Sequence, residues 1–252
     1  MEQTPTFRKM EWRRAWNALR ILIDDPKRTE QVFEITDALS GRGFERGFQK
    51  FRAHPDGRRL LAERPSLLAT LADRAALRAL PVGSFGRAYV EFMESGNLSA
   101  EGLVQAEAMA ELRYREEPDD PARRFYGERI RDMHDLWHVL SGYGMDEAGE
   151  AANLAFTFSQ IPNLGIGLIV GAAALLGPSG VRWQRYLFRA WRRGRRAALL
   201  TVAPYEQLLA QPLDEVRALL RIQPARAAHP EGILVGNGTD GLKDWIMAPL
   251  PT

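Results

Sequence analysis

Apolar side chains recur three and four positions apart along most of the first 222 residues, and the strict alternation typical of half-buried strands is scarce. This spacing predicts helices, most of them bounded by capping residues, glycines or prolines. The predicted helices cover residues 12–23, 29–39, 66–80, 85–93, 101–112, a segment ending near 141, 146–160, 164–176, 181–200 and 214–222. The fold class that follows is all-α.

No internal repeat and no long linker divides the chain, and 252 residues can bury one substantial core. We therefore predict a single helical domain over residues 12–225. A flexible N-terminal tail, residues 1–11, precedes this domain, and an irregular C-terminal tail, residues 226–252, follows it.

Composition and charge narrow the classes of function. The chain has no cysteine, which excludes a disulfide scaffold, a thiolate metal site and a cysteine nucleophile. The net charge is only +2, so charge alone does not indicate a nucleic-acid partner, and none is expected. The first twenty residues lack the uninterrupted apolar core of a secretory signal, which favours a cytoplasmic start.

The candidate chemistry lies in the run HDLWHVLSGYGMDEAGE, residues 134–150. On a helix, His134 and Asp135 lie four and three positions before His138, so the three side chains can converge above one turn. Gly142 and Gly144 allow a tight reversal. An antiparallel second helix, capped by Asp146, then returns Glu150 over the histidines. The sequence thus predicts a helix–turn–helix metal site.

Two imidazoles and two carboxylates can bind Zn²⁺, Fe²⁺ or Mn²⁺. Four ligands close the site around a structural ion. If one carboxylate instead contacts only the other ligands, a position stays open for water or substrate. The alternative without a metal is a pair of surface histidines beside unrelated acids.

Other metal motifs fit this run less well. Zincin proteases have glutamate where Asp135 stands, and di-iron bundles need a second Glu-x-x-His unit. The His134-Asp135 pair is also found in HD-type phosphohydrolases, which require a further upstream histidine. His54 could be that residue, but it lies in the turn-forming run His54-Pro55-Asp56-Gly57.

HDLWH followed after eleven residues by Glu150 resembles the signature of the Coq4 family of coenzyme Q (ubiquinone) biosynthesis proteins. Residues 58–93, with the run LPVGSFGRAY, are similar to the N-terminal half of that family, and residues 192–222 to its C-terminal part. The resemblance spans most of residues 12–222. Tyr205-Glu206 departs from it, since Trp-Glu is expected there.

The resemblance implies an all-α fold and a bound metal held by His134, Asp135, His138 and Glu150, with Zn²⁺ expected and Fe²⁺ as the alternative. It implies removal of the C1 carboxylate of a polyprenylated hydroxybenzoate with oxidative replacement by a hydroxyl, for which Asp135 and Glu150 are the candidate catalytic residues. It also implies partner enzymes of ubiquinone synthesis on a membrane, and we expect a homodimer as one state of the chain.

We therefore expect the protein to bind a membrane peripherally. In a bacterium it binds the cytoplasmic face of the inner membrane, and in a eukaryote the matrix side of the mitochondrial inner membrane. The competing hypothesis is a non-catalytic organiser that binds prenylated lipid, gathers the other enzymes and holds a structural metal.

Two further segments suit a lipid substrate. Residues 151–181 carry no charge, and the apolar part, 164–177, is shorter than the roughly 20 residues of a spanning helix. It is either a buried core helix or, through Gly165, Gly167 and Gly171, the wall of a groove for a prenyl chain.

Residues 182–196 place arginines beside Trp183, Tyr186, Leu187, Ala190 and Trp191. This pattern is typical of a membrane-interface helix, and equally of a solvated basic face over a packed aromatic one; RNA binding is a third interpretation.

Overall fold

The computed structural model describes residues 9–109, 120–177 and 181–225. These residues form fifteen α-helices, and within them no strand occurs beyond one isolated bridge between Ser84 and Pro212. The helices are α1 Trp12–Asp24, α2 Glu30–Ala38, α3 Gly41–Ala53, α4 Pro55–Glu63, α5 Leu67–Ala72, α6 Arg74–Ala79, α7 Phe85–Ser95, α8 Ala100–Met109, α9 Pro121–Asp132, α10 His134–Ser141, α11 Glu147–Gln160, α12 Leu164–Leu176, α13 Val181–Arg196, α14 Tyr205–Leu208 and α15 Leu213–Leu219. The prediction of an all-α, single-domain fold is confirmed.

Helix starts follow the capping chemistry of the sequence. Ser84, Asp146 and Asn163 each accept a hydrogen bond from a backbone N–H in the first turn of α7, α11 and α12. Asp214, predicted as a cap, instead lies within the first turn of α15, where its charge favours the positive end of the helix dipole. The predicted tails, apart from residues 9–11, lie outside the described residues, and so do residues 115–119 of the loop expected over residues 115–121. The last two residues of that loop instead start α9, with Asp120 as its cap and Pro121 as its first residue.

Two segments predicted as one helix are each broken in two. The helix expected over residues 66–80 stops at Asp73, whose side chain caps α6 by accepting from the N–H of Ala76. The helix ending near residue 141 is interrupted at Met133, between α9 and α10. The turn expected at His54 is a helix start, because Pro55 occupies the first position of α4 and the His54 ring accepts from the Asp56 N–H.

The largest hydrophobic core joins α7, α10, α11 and α13 to the segment after residue 197. Its biggest fully buried side chains include Trp137, Phe156 and Tyr205. A buried cation ties this segment to α9: the Arg129 guanidinium donates to both carboxylate oxygens of Glu206, at 2.7 and 3.1 Å, and to the Ala203 carbonyl. The C-terminal part of the chain therefore supports the helices that carry the candidate site.

The basic helix α13 turns its aromatic side inward. Trp183, Tyr186, Leu187 and Ala190 are buried in the main core, whereas Arg185, Arg189, Arg192 and Phe188 are exposed. Of the two predicted arrangements, the structure forms the basic face over a packed aromatic one. Apart from Phe188, which is 54% exposed, and the partly buried Trp191, the outer side of α13 is mainly basic.

The uncharged helix α12 is neither fully buried nor a groove along its whole length. A Cβ on Gly165 would lie 2.5 Å from the Ile35 carbonyl oxygen, and one on Gly167 would lie 3.0 Å from the Phe158 ring. These two glycines therefore serve close helix packing, and the predicted groove is absent there. Of the three glycines expected to line the groove, Gly171 alone faces open space. In the part of the chain that the structure describes, no helix is both long and apolar enough to cross a membrane.

Candidate metal centre

The site is built by α10, a short turn and α11. Gly142 ends α10 in the left-handed conformation (φ +74°), which glycine adopts without steric cost, and its N–H bonds the His138 carbonyl. Gly149, near the start of α11, packs on the backbone of Gly144 so closely that a Cβ would lie 2.1 Å from the Gly144 oxygen. This close approach brings the first turns of α11 back beside α10.

His134, His138 and Glu150, which we name the metal trio, meet across this turn. Each offers one ligand atom, and the three atoms lie within 4.8 Å of one another. The nearest Glu150 carboxylate oxygen is 3.6 Å from Nε2 of His134 and 3.3 Å from Nε2 of His138. These separations suit three donors around one cation.

His138 carries the strongest indication of a missing partner. Its side chain is only 1% exposed, and its Nε2 atom is buried without a hydrogen-bond partner among the described residues. The other ring nitrogen, Nδ1, lies 3.2 Å from the Tyr143 carbonyl oxygen, which can only accept a hydrogen bond. The proton therefore belongs on Nδ1, and the Nε2 lone pair points at the trio, as in metal-binding histidines.

The trio is closed on one side and open on the other. The side chains of His134 and Glu150 are 26% and 44% exposed, in contrast to that of His138. Burial by itself raises the pKa of Glu150, but its interactions with the imidazoles of His138 and His134 lower it well below its usual range. Burial lowers the pKa of His134, and Glu150 more than offsets this, so that pKa is raised. The carboxylate is therefore ionised and available as a ligand.

Asp135 stands apart from the trio. It is buried on α10 between the two histidines in sequence, yet it is not among the donors that lie within 4.8 Å of one another. Burial raises the pKa of its carboxyl, and the charges of His134 and His138 only partly offset that rise. The structure thus brings together three of the four predicted ligands and leaves Asp135 beside them.

The donor set fits a divalent cation with a free position. Two histidines and one glutamate are the protein ligands of catalytic zinc in several hydrolases, and two histidines with one carboxylate bind non-haem Fe²⁺ in oxygenases. Zn²⁺ would polarise a bound oxygen atom, and Fe²⁺ would also supply redox chemistry. The trio suits both ions, and this chemistry does not choose between them.

Three supporting residues were not predicted from the sequence. The Phe92 ring of α7 stacks on His138 with centroids 5.5 Å apart, and the Tyr143 carbonyl fixes its tautomer. Arg217 of α15 donates to the Val139 and Leu140 carbonyls at the end of α10. The only hint in the sequence was that these residues lie in or near the similar blocks. Local spacing cannot reveal contacts between elements so far apart in the chain.

His54, the residue offered for a phosphohydrolase site, is not part of the trio. Its ring caps α4, with Nδ1 3.6 Å from an Asp56 carboxylate oxygen. The capping bond gives this histidine a local structural role. A phosphohydrolase site that uses His54 therefore has no support from its position.

Comparisons with known proteins identify relatives of this chain. The family model described as "Coenzyme Q (ubiquinone) biosynthesis protein Coq4" matches residues 11–226. The mitochondrial ubiquinone biosynthesis protein coq4 of Schizosaccharomyces japonicus is 33% identical over 215 residues, covering 81% of this chain and 84% of the relative. A mitochondrial homologue from Danio rerio is 29% identical over 210 residues, covering 80% and 72%.

The fold also has a solved counterpart. The crystal structure of a protein from Nostoc punctiforme, provisionally assigned to ubiquinone biosynthesis, superposes with a TM-score of 0.61. It covers 84% of this chain and 98% of the other at 19% identity, which shows a shared fold. Together with the match over nearly the whole helical region, these relatives establish that the chain belongs to the Coq4 family of ubiquinone biosynthesis proteins.

Proposed function

We propose that this chain catalyses a metal-dependent oxidative decarboxylation in ubiquinone synthesis. The substrate is a polyprenylated 4-hydroxybenzoate, whose C1 carboxylate leaves as CO₂ and is replaced by a hydroxyl. The observation that carries the proposal is the metal trio with the orphaned Nε2 of His138. A buried nitrogen without a partner costs about 1–3 kcal/mol, which a bound cation offsets.

The reaction needs an electron acceptor. Replacing a carboxylic acid by a hydroxyl supplied by water yields CO₂, two protons and two electrons, and with O₂ as oxidant half a molecule of O₂ balances the equation. Zn²⁺ has no redox chemistry, so it leaves electron transfer to O₂ or another oxidant. We therefore propose Zn²⁺ as the resident ion and Fe²⁺ as the alternative, to be separated by metal analysis.

The side chains of the site have separate roles in this proposal. The trio holds the ion, and the exposed side formed by His134 and Glu150 leaves room for a substrate carboxylate or phenol oxygen. For Asp135, the predicted fourth ligand, we propose one of two roles: a fourth ligand of the ion, or a group that holds a proton near the substrate ring. Its buried carboxyl and raised pKa support that second role.

The alternative function is a non-catalytic organiser of the synthesis enzymes, for which a saturated, closed metal would be expected. The partial exposure of His134 and Glu150 favours the open site of an enzyme.

The relatives are named mitochondrial. We propose that this chain binds peripherally to the inner membrane, on the matrix side if it is eukaryotic or on the cytoplasmic face if it is bacterial. The exposed arginines of α13 support attraction to an anionic surface.

The test is made in a quinone-making cell lacking the gene. Complementation by the wild-type chain should restore ubiquinone, and the deletion should accumulate prenylated intermediates that keep the C1 carboxylate. Asp135→Asn should behave like the deletion while remaining folded, because the amide has the same shape but no charge. Mass spectrometry of lipid extracts measures both.

Two results would contradict the proposed catalytic function. Normal ubiquinone with Asp135→Asn and with a variant lacking the metal would favour the organiser. Normal ubiquinone in the deletion strain would remove the assignment to this reaction altogether. Purified protein loaded with Zn²⁺ or Fe²⁺ and given a synthetic prenylated hydroxybenzoate then tests turnover directly, with released CO₂ as the readout.

A further inference from the structure

Trp183 and Tyr186 of α13 are buried and Trp191 is half-buried, whereas the exposed tryptophans of the described residues lie on α1. We propose that the outer faces of α1 and α12 together form a surface that binds an anionic lipid bilayer. This inference deepens the proposed action at a membrane and rests on it. The residues of the surface were not among those assigned to membrane contact by the sequence.

Helix α1 presents tryptophan and arginine on one outward row. Trp12 and Trp16 are 53% and 57% exposed, and Arg20 continues the row four positions further on, with Arg13 alongside. The spacing of Trp12, Trp16, Leu19 and Ile23 predicts a shared apolar face. The structure instead buries Ala15, Ala18 and Leu19, which turns both indoles outward.

The arginines of α1 fall into two groups. Arg14, on the inner side, donates to carboxylate oxygens of Glu34 and Asp37 on α2. Burial lowers the pKa of Arg14, but the hydrogen bonds and charges of Asp37 and Glu34 together raise it above its usual value. Arg13 and Arg20 point outward, and no ion pair is formed by either among the described residues. Exposed acids on this helix are confined to its end at Asp24, with Asp25 just beyond it. The outward row is therefore cationic and aromatic.

Helix α12 continues this surface with uncharged side chains. Leu164, Leu168, Gly171 and Leu175 recur three or four positions apart, with Leu164 46% and Leu175 81% exposed and open space beside Gly171. Leu168 and Ala172 pack against the same cluster as Ala15 and Leu19 of α1, and α2 lies against both helices and joins them. No charged residue occurs between 161 and 177.

A bilayer surface is the partner that fits both helices. Indole rings favour the headgroup level, where an apolar ring and a polar N–H are both accommodated, and arginines are attracted to anionic headgroups. The leucines of α12 can enter the acyl boundary beside them. A protein partner would be expected to supply acids for Arg13 and Arg20 and a pocket for each indole, which is the alternative that the experiment must exclude.

The experiment measures partition of the purified full chain onto phosphatidylcholine vesicles with and without phosphatidylserine. Trp12→Ala with Trp16→Ala should weaken binding about tenfold or more on both, because each indole loses apolar contact with lipid. Arg13→Glu with Arg20→Glu should weaken binding about tenfold or more on the anionic vesicles only. The matched control is Val82→Ala with Leu219→Ala, two exposed apolar residues on other elements, which should bind as wild type.

Melting temperature and sedimentation distinguish a bilayer from the other possible partners of this surface. The tryptophan variant should remain folded and melt below wild type, because about half of each indole is covered by protein and the rest is in water. Loss of the folded state would show that these indoles belong to the core. A dimer that dissociates with unchanged vesicle binding would show that a second copy occupies this face. Each of these results overturns the proposal. If the wild type binds neither vesicle, membrane action itself fails, whereas unchanged binding of the tryptophan variant refutes only this surface.

Discussion

The indole N–H of Trp137 donates a hydrogen bond to the Tyr205 hydroxyl across 2.8 Å, deep in the main core. Tyr205 in turn donates to the Leu200 carbonyl at 3.0 Å. Trp137 lies on α10 next to His138, so this chain of bonds fixes the helix that carries two of the metal trio. It also explains why tyrosine can serve where the family resemblance leads one to expect tryptophan, since an indole could not accept the bond from Trp137.

Tyr205→Phe should lower the free energy of unfolding by about 1–3 kcal/mol, because it leaves the buried Trp137 N–H without an acceptor. Urea denaturation followed by circular dichroism measures this change. Trp137→Phe, alone and combined with Tyr205→Phe, completes a double-mutant cycle. The two losses should be clearly less than additive. Additive losses would show that the hydrogen bond contributes nothing.

Glu206→Gln should destabilise the protein by about 2–3 kcal/mol, because Arg129 is buried and would keep its charge without a carboxylate partner. Thermal unfolding gives the comparison. The control is Glu63→Gln, which breaks the exposed Arg59–Glu63 pair and should cost about 0–1 kcal/mol. Equal effects of the two substitutions would mean that burial does not strengthen the Arg129–Glu206 pair.

His138→Ala should abolish tight metal binding, and His134→Ala should weaken it severely, because each removes one of three donors. Elemental analysis of protein purified without added chelator should find about one ion per wild-type chain, as one trio can hold one ion. His54→Ala, at the cap of α4, is the matched histidine control and should retain the metal. Wild-type metal content in both trio variants would place the ion elsewhere.

Reversal of Arg185, Arg189 and Arg192 on α13 to glutamate should reduce flotation with anionic liposomes, since each arginine contributes about 1 kcal/mol of attraction to an anionic surface. High salt should release the wild type, because surface attraction is screened within about 10 Å at 0.1 M ionic strength. Reversal of the exposed Arg58, Arg64 and Arg221 makes the same charge change away from α13 and serves as the control. Equal flotation of the two triple variants would show that net charge, not α13, governs binding.

The sequence by itself determined most of the helices, the caps of α7 and α11, and the helix–turn–helix around the trio. These features depend on local rules: side chains three or four positions apart share a helix face, and Asp146 caps the helix that begins beside it. For the same reason the convergence of His134, His138 and Glu150 could be predicted from spacing and two glycines.

Tertiary packing decided the rest. The spacing of α1 predicts an apolar face that includes Trp12 and Trp16, but packing against the neighbouring helix buries Ala15, Ala18 and Leu19 and turns both indoles to water. Contacts between residues 46 to 78 positions apart complete the site. They are the Phe92–His138 stack, the Trp137–Tyr205 hydrogen bond and the hydrogen bond from Arg217 to the end of α10. Asp135 shows the limit most clearly: its spacing on α10 permits convergence with His138, but its place beside the trio rather than within it is set by the packing that buries its carboxyl.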